Sequence, residues 1–190
     1  MDTVTPAEDL YVSAEALEAG LDHIRRAPAA EGTVELIVRR PATDEREVLE
    51  EGFLDTDEGL VGDSWRVRGS SRTPDRSAHP GMQVTLMNAR VIALVAGDRD
   101  RWQLAGDQLY VDLDLSTENL STGTRLAVGS AVLEVTDQLH TGCAKFTYRF
   151  GSAAIRFVNS KPGRALRLRG MYAKVVEPGT VRPGDAIRKL

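Results

Sequence analysis

The stretch Arg125-Leu126-Ala127-Val128-Gly129-Ser130-Ala131-Val132-Leu133-Glu134-Val135-Thr136 decides the fold class. Two short β-prone runs, Arg125–Val128 and Ala131–Thr136, flank Gly129-Ser130, which sit at hairpin distance. Upstream, Thr33–Arg39 reads as a strand with Val34, Leu36 and Val38 on one face. Pro41-Ala42-Thr43-Asp44 supplies turn chemistry before a partner strand, Arg46–Glu51. Gln83–Met87 reads as a strand, and Asn88 caps a short helix, Ala89–Ala96, closed by Gly97. Leu109–Leu113 adds another strand. Downstream, Ser152–Asn159 reads as helical, and Leu166–Leu168, Tyr172–Glu177 and Ala186–Lys189 read as closing strands. Gly170, Pro178-Gly179 and Pro183-Gly184-Asp185 separate them. Many short strands between Gly/Pro turns point to a barrel or sandwich, a mainly β (β-rich α+β) class.

The front of the chain differs. Thr5-Pro6-Ala7-Glu8 reads as a capping box with Pro at the first helical position. Leu17, Leu21 and Ile24 then share one helix face, and Pro28 ends the run. The expected division is a helical extension, 1–30, followed by a β domain, 31–190. Between the early strands and Gln83 lies a loop-rich stretch, Asp55 to Gly81, which contains Ser70-Ser71-Arg72-Thr73-Pro74-Asp75.

Composition narrows the function classes. No apolar run is long enough to span a bilayer, and the Met1-Asp2-Thr3-Val4 start has no basic or apolar leader, so no membrane and a cytoplasmic location are expected. The net charge of -4 gives no support to nucleic-acid binding. The charge is uneven, however. From Gln138 to Val176 there is no Asp or Glu, and Lys145, Arg149, Arg156, Lys161, Arg164, Arg167, Arg169 and Lys174 give that stretch +8, leaving -12 on the remainder. Either an anionic ligand sits nearby, or these cations pair with acids elsewhere in the fold. Gly-x-Ser-x-Gly, the phosphate-loop pattern and Gly-x-Gly-x-x-Gly are all absent.

One cysteine, Cys143, stands in His140-Thr141-Gly142-Cys143-Ala144-Lys145. A single cysteine forms no internal disulfide and no Cys₄ or Cys₂His₂ zinc site. Its basic neighbours His140 and Lys145 favour the thiolate, the form that binds soft metals and attacks sulfur. The alternative is a small buried hydrophobe, the commonest role of a lone cysteine. The other histidines, His23 and His79, are not at zinc-motif spacing from each other or from His140.

Several blocks, in order, carry a family resemblance. They are Ile37-Val38-Arg39-Arg40-Pro41, Gly59-Leu60-Val61-Gly62-Asp63-Ser64-Trp65, Gln83-Val84-Thr85-Leu86-Met87-Asn88-Ala89, and Asp112-Leu113-Asp114-Leu115-Ser116-Thr117-Glu118-Asn119-Leu120. The hairpin quoted above, the Cys143 block, and Leu168-Arg169-Gly170-Met171-Tyr172-Ala173-Lys174-Val175-Val176 follow, ending at Val181-Arg182-Pro183-Gly184-Asp185. From Gly32 to Leu190 the chain resembles the MOSC family, the domain at the C-terminus of molybdenum-cofactor sulfurases. The family's Gly-Glu-Asn-Leu is Thr117-Glu118-Asn119-Leu120 here, and its Gly-Asp-Arg is Gly62-Asp63-Ser64.

The resemblance implies a MOSC-type antiparallel β-barrel. It implies that Cys143 ligates the molybdenum of a molybdopterin cofactor or carries a persulfide. Asp63 and Asn119 would hold the pterin's polar edges. Lys145, Arg149 or Arg164 would meet its phosphate, with Thr141 and the backbone around Gly142 as an anion nest. His140 or Lys145 would stabilise an anionic persulfide. Three readings stay open. One is a redox enzyme acting on N-hydroxylated small molecules with an electron-donor protein. Another is a sulfur carrier served by a sulfur-donor protein. The third is a non-catalytic barrel that binds a ligand or partner.

Overall fold

The computed structural model describes residues 11–190. The capping box expected at Thr5–Glu8 lies outside them. Seven strands close into a ring: β1 (Glu31–Arg39), β5 (Val84–Asn88), β6 (Leu109–Asp112), β7 (Arg125–Val128), β8 (Ala131–Val135), β9 (Met171–Glu177) and β11 (Ala186–Lys189). Around the ring the order runs β11-β7-β8-β9-β5-β6-β1, and β1 pairs back onto β11. An odd ring cannot alternate direction throughout. One pair must run parallel, and it is β5–β6, with Leu86 opposite Leu109 and Asn88 opposite Val111. The expected antiparallel barrel therefore holds at every other junction. The crossover that a parallel pair requires contains helix α4 (Ala89–Ala96). Asn88 caps α4, its side chain accepting from Arg90 N–H at 2.8 Å.

Alternation fills the barrel. Leu126 and Val128 of β7, Ala131, Leu133 and Val135 of β8, and Met171, Ala173 and Val175 of β9 all face inward. Gly129, at φ +56, makes the β7–β8 hairpin, with the Thr180 carbonyl too close for any Cβ. A three-stranded sheet of β3 (Gly52–Asp55), β4 (Gly59–Leu60) and β10 (Gly179–Val181) brings Leu54, Leu60 and Val181 to the same core. The short β2 (Glu47–Leu49) pairs with the far end of β1.

A second core lies outside the barrel, under a helical layer. Leu36, Val38, Met87 and Tyr110 point away from the ring and meet α1 (Ala14–Ala19), α2 (Leu21–Arg25), α4 and α5 (Ala144–Asn159). Strand β1 serves both cores because a bulge between Val34 and Leu36 shifts its parity. Val34 and Ile37 face inward, while Leu36 and Val38 face the helices. The single face expected for Val34, Leu36 and Val38 is thus split by one extra residue.

Three more expectations change. The early helix is two short ones broken at Gly20, with Ser13 capping the first and Leu17 and Ile24 buried. The helix expected at Ser152 begins eight residues earlier at Ala144, where Phe146 and Phe150 drive it into the second core. Gly151, at φ +87, kinks it against Tyr11, whose hydroxyl donates to the Tyr148 carbonyl at 2.9 Å. Leu166–Leu168 is a turn rather than a strand. It follows α6 (Lys161–Ala165), which Ser160 caps and which carries Pro162 in its first turn, and Arg167 after it takes φ +49.

Candidate functional site

Cys143 is the N-cap residue of α5 and is exposed. The buried rings of Phe146 and Phe150 fix that helix, so the thiol sits on a rigid shoulder beside a cavity of about 510 Å³. Five cations line this cavity with Cys143: Arg40, Arg46, Arg68, Lys145 and Arg149. Asp44 is its one carboxylate among the described residues.

The five are not equally compensated. Arg40, at the end of β1, grips Asp63 through Nε (2.8 Å), Nη2 (2.9 Å) and its backbone N–H (2.9 Å), and Nη1 donates to Gly106 O at 2.9 Å. The Asp63 side chain is fully buried and also accepts from Trp65 N–H. It lies behind the wall and acts through Arg40. Lys145 Nζ and Arg149 Nη2 share Asp44 Oδ1 at 2.8 and 3.0 Å. The Lys145 hydrogen bond holds the Asp44 carboxyl below its ordinary range, with Coulombic help from Lys145 and Arg149.

Arg46 and Arg68 have no carboxylate within ion-pair distance among the described residues. Burial pushes the Arg46 guanidinium down, and repulsion from Arg149 and Arg40 pushes it further. Its Nε is buried without a partner. Burial, then Arg40, likewise lowers Arg68. Crowded cations short of counter-charge, one with an orphaned donor, leave the wall of this cavity with uncompensated positive charge.

Arg40, Arg68 and Gly106 also line a second, polar cavity of about 270 Å³, together with Ser70, Ser71, His79, Thr85, His140, Arg169 and Tyr172. No carboxylate among the described residues lines it. His140 belongs here and not to the Cys143 cavity. Burial pushes its imidazole well below the ordinary histidine value, and Arg169, Arg40 and Arg72 add repulsion. It is therefore neutral at rest and supplies no positive charge to the thiol, contrary to the role expected from sequence. Behind it, Asp107 is fully buried, with Arg169 Nη1 at 2.6 Å. Arg169 Nη2 donates to Ala105 O at 2.9 Å, and the guanidinium lies over the Phe146 ring.

The structure separates the remaining expected site residues from this pair of cavities. Asn119 donates to Ala29 O and Asp114 O and accepts from Lys189, so it ties a loop to the seam where the first and last barrel strands meet. The Gly142 N–H is committed to Asn159 Oδ1 at 3.0 Å, which removes it from an anion nest. Thr141 lines neither cavity. Arg164 lines a third space, of about 200 Å³, with Arg167 and Thr117. The acid-free stretch proves mixed: Lys145, Arg149, Arg169 and Lys174 find acids elsewhere in the chain, and Arg167 uses the Leu115 and Leu120 carbonyls. Sequence reasoning missed Arg46, Arg68 and Asp107 as site residues. Arg40 was visible only within the quoted Arg39-Arg40-Pro41 block.

One family model matches this sequence. The MOSC domain model matches residues 73–188, well over half of the chain. The chain belongs to the MOSC domain family. Two solved structures share the fold. The YuaD protein from Bacillus subtilis is 16% identical with a TM-score of 0.62, covering 83% of this chain and 94% of its own. YiiM from Escherichia coli is 17% identical with a TM-score of 0.53, covering 83% of this chain and 69% of its own. No curated protein matches the sequence. No helix among the described residues of this MOSC protein is long and apolar enough to cross a membrane. No group of three or more His, Cys, Asp or Glu side chains that could hold a metal ion occurs among those residues.

Proposed function

We propose that this MOSC protein binds a molybdenum cofactor in the Cys143 cavity and reduces N-hydroxylated small molecules. The observation that carries the reading is a reachable thiol in the same cavity as two cations without carboxylate partners. The donor set fits the group: a thiolate suits a soft metal, and Arg46 and Arg68 suit a phosphate. Cys143 Sγ would hold the metal. Arg46 and Arg68 would take the phosphate, and Arg40, fixed by buried Asp63, would keep the wall between the two cavities in place. When bound, the cofactor supplies the two-electron chemistry. Overall, an N–OH group takes up two electrons from a donor protein and two protons from solvent, giving N–H and water. The chain's own residues bind, orient and shield.

The test is expression in a host that makes the cofactor, followed by measurement of molybdenum, pterin and the Cys143 mass. The expected result is metal and pterin in wild type, neither in Cys143→Ala, and strongly reduced retention in the Arg46→Ala, Arg68→Ala double variant. Exposure of Cys143 also favours a second reading, because a sulfur-donor protein can reach it. One extra sulfur atom on Cys143 with no metal would select that carrier role. Metal-free protein with an unmodified cysteine would end both.

A further inference from the structure

Five buried side-chain atoms lack hydrogen-bond partners among the described residues, and three of them meet at one place: Asp107 Oδ1, His140 Nδ1 and Arg169 Nε. Orphaned polar atoms at such burial are costly, so a cluster of them marks a built feature. Two of the three are complementary. His140 Nδ1 lies 3.6 Å from Asp107 Oδ1, just beyond hydrogen-bond length, while the other carboxylate oxygen is held by Arg169.

The ring's orientation is fixed from several sides. Tyr172 of β9 packs against it with centroids 4.6 Å apart. The Arg169, Arg40 and Arg72 guanidiniums surround it, and Asp107 is the acid among the charged groups named around it. Nδ1 is sealed from solvent, whereas Nε2 is not among the buried unpartnered atoms and has no hydrogen-bond partner among the described residues. His140 side-chain exposure is 10%, and the ring lines both the polar cavity, which shares Arg40, Arg68 and Gly106 with the Cys143 cavity, and the third space beside Arg164.

We propose that Asp107 is a positioning residue that holds His140 in the Nδ1–H tautomer, so that Nε2 presents a lone pair to the polar cavity and selects ligands carrying a hydroxyl donor. Around that cavity, the arginines and serines offer donors. His79 there is fixed in the opposite sense, because its Nδ1 accepts from Gly81 N–H at 3.0 Å and leaves Nε2–H as a donor. A neutral Nε2 acceptor among such groups recognises an N–OH or C–OH group and discriminates against the same molecule without the hydroxyl. The hydroxylated-substrate part rests on the function proposed above, but the tautomer does not.

The test is long-range ¹H–¹⁵N correlation spectroscopy on histidine-labelled protein without metal or substrate. Only three histidines need assignment, by His23→Gln, His79→Gln and His140→Gln. The expected wild-type spectrum shows His140 protonated at Nδ1 and bare at Nε2, with His79 the reverse. A His140 bearing its proton on Nε2, or on both nitrogens at neutral pH, overturns the proposal, and this readout needs no variant of Asp107. In Asp107→Asn the amide oxygen stays with Arg169 and turns its NH₂ toward His140, so the tautomer should invert. An unchanged tautomer in folded Asp107→Asn also overturns it. With loaded protein and a hydroxylamine substrate, Asp107→Asn should raise KM about tenfold, the worth of one hydrogen bond, with kcat nearly unchanged. Metal-free wild type with the expected His140 tautomer would sink the function proposed above and leave the tautomer standing, whereas loaded, active wild type with the proton on Nε2 would sink only the tautomer.

Discussion

Cys143 and His140 are three residues apart in sequence and in opposite surroundings. Cys143 is exposed beside cations that share one exposed carboxylate. His140 is nearly closed off, facing a carboxylate and three guanidiniums that come from distant parts of the chain. The difference teaches that a reactive-looking string such as His140–Lys145 is not one site. The loop after β8 delivers His140 and Cys143 to two different cavities, and the residues common to both are Arg40, Arg68 and Gly106.

That shared wall is the place to break the contrast most severely. Asp63→Ala leaves Arg40 buried without its carboxylate, and denaturant unfolding should show a loss of about 3–5 kcal/mol. A loss below about 1 kcal/mol would mean Arg40 escapes to water and the wall is not fixed. Next is the closed side. Gly170 sits at φ +97, with the Leu86 carbonyl where a Cβ would be and Asp107 Oδ1 just beyond. Gly170→Ala should cost roughly 1–3 kcal/mol, measured the same way.

A smaller effect comes from pH. The folded His140 has its proton affinity depressed, so the unfolded chain gains a proton near pH ~6.5 that the folded chain refuses. Stability is therefore complete above that pH and falls as pH drops toward the folded value, with a slope of up to about 1.4 kcal/mol per pH unit. The difference between wild type and His140→Gln in thermal melts across pH 7 to 5 should show this acid limb in wild type alone. Asp107, whose carboxyl burial pushes upward, acts in the opposite sense in both proteins. At the open end, Cys143→Ala should change stability by less than about 0.5 kcal/mol. A larger loss would show that the thiol is a packing element and would remove the ground for treating it as a ligand.

Much of the barrel was legible because its strands carry local signals. The β7–β8 hairpin, β5 and the Asn88-capped helix can be read from neighbours in sequence. The bulge in β1 was not, since Thr33–Arg39 keeps an unbroken apolar rhythm and only pairing with β6 forces the shift. The start of α5 was hidden by the Gly142 and Gly151 glycines, although Phe146 and Phe150, four apart, were the available sign. The strands β3, β4 and β10 are two to four residues long and take their shape from one another. In the site, Cys143 stands out as the single cysteine. Asp107 could not stand out, because its meaning comes from Arg169, 62 positions later. Arg46 and Arg68 look like ordinary surface arginines until the fold withholds acids from them.

The seal of the ring between β1 and β11 has a consequence for biosynthesis. Glu31 pairs with Arg188 and Thr33 with Ala186, so the first barrel strand made waits for the last. Until Lys189 has been made, β7 and the first residues of β1 lack the neighbour that closes the cylinder, while β2 already covers the far end of β1. A chain arrested before Ala186 would leave the paired edges of β1 and β7 without the strand that joins them, so the final four residues of β11 decide whether the sheet is a ring or an open ribbon.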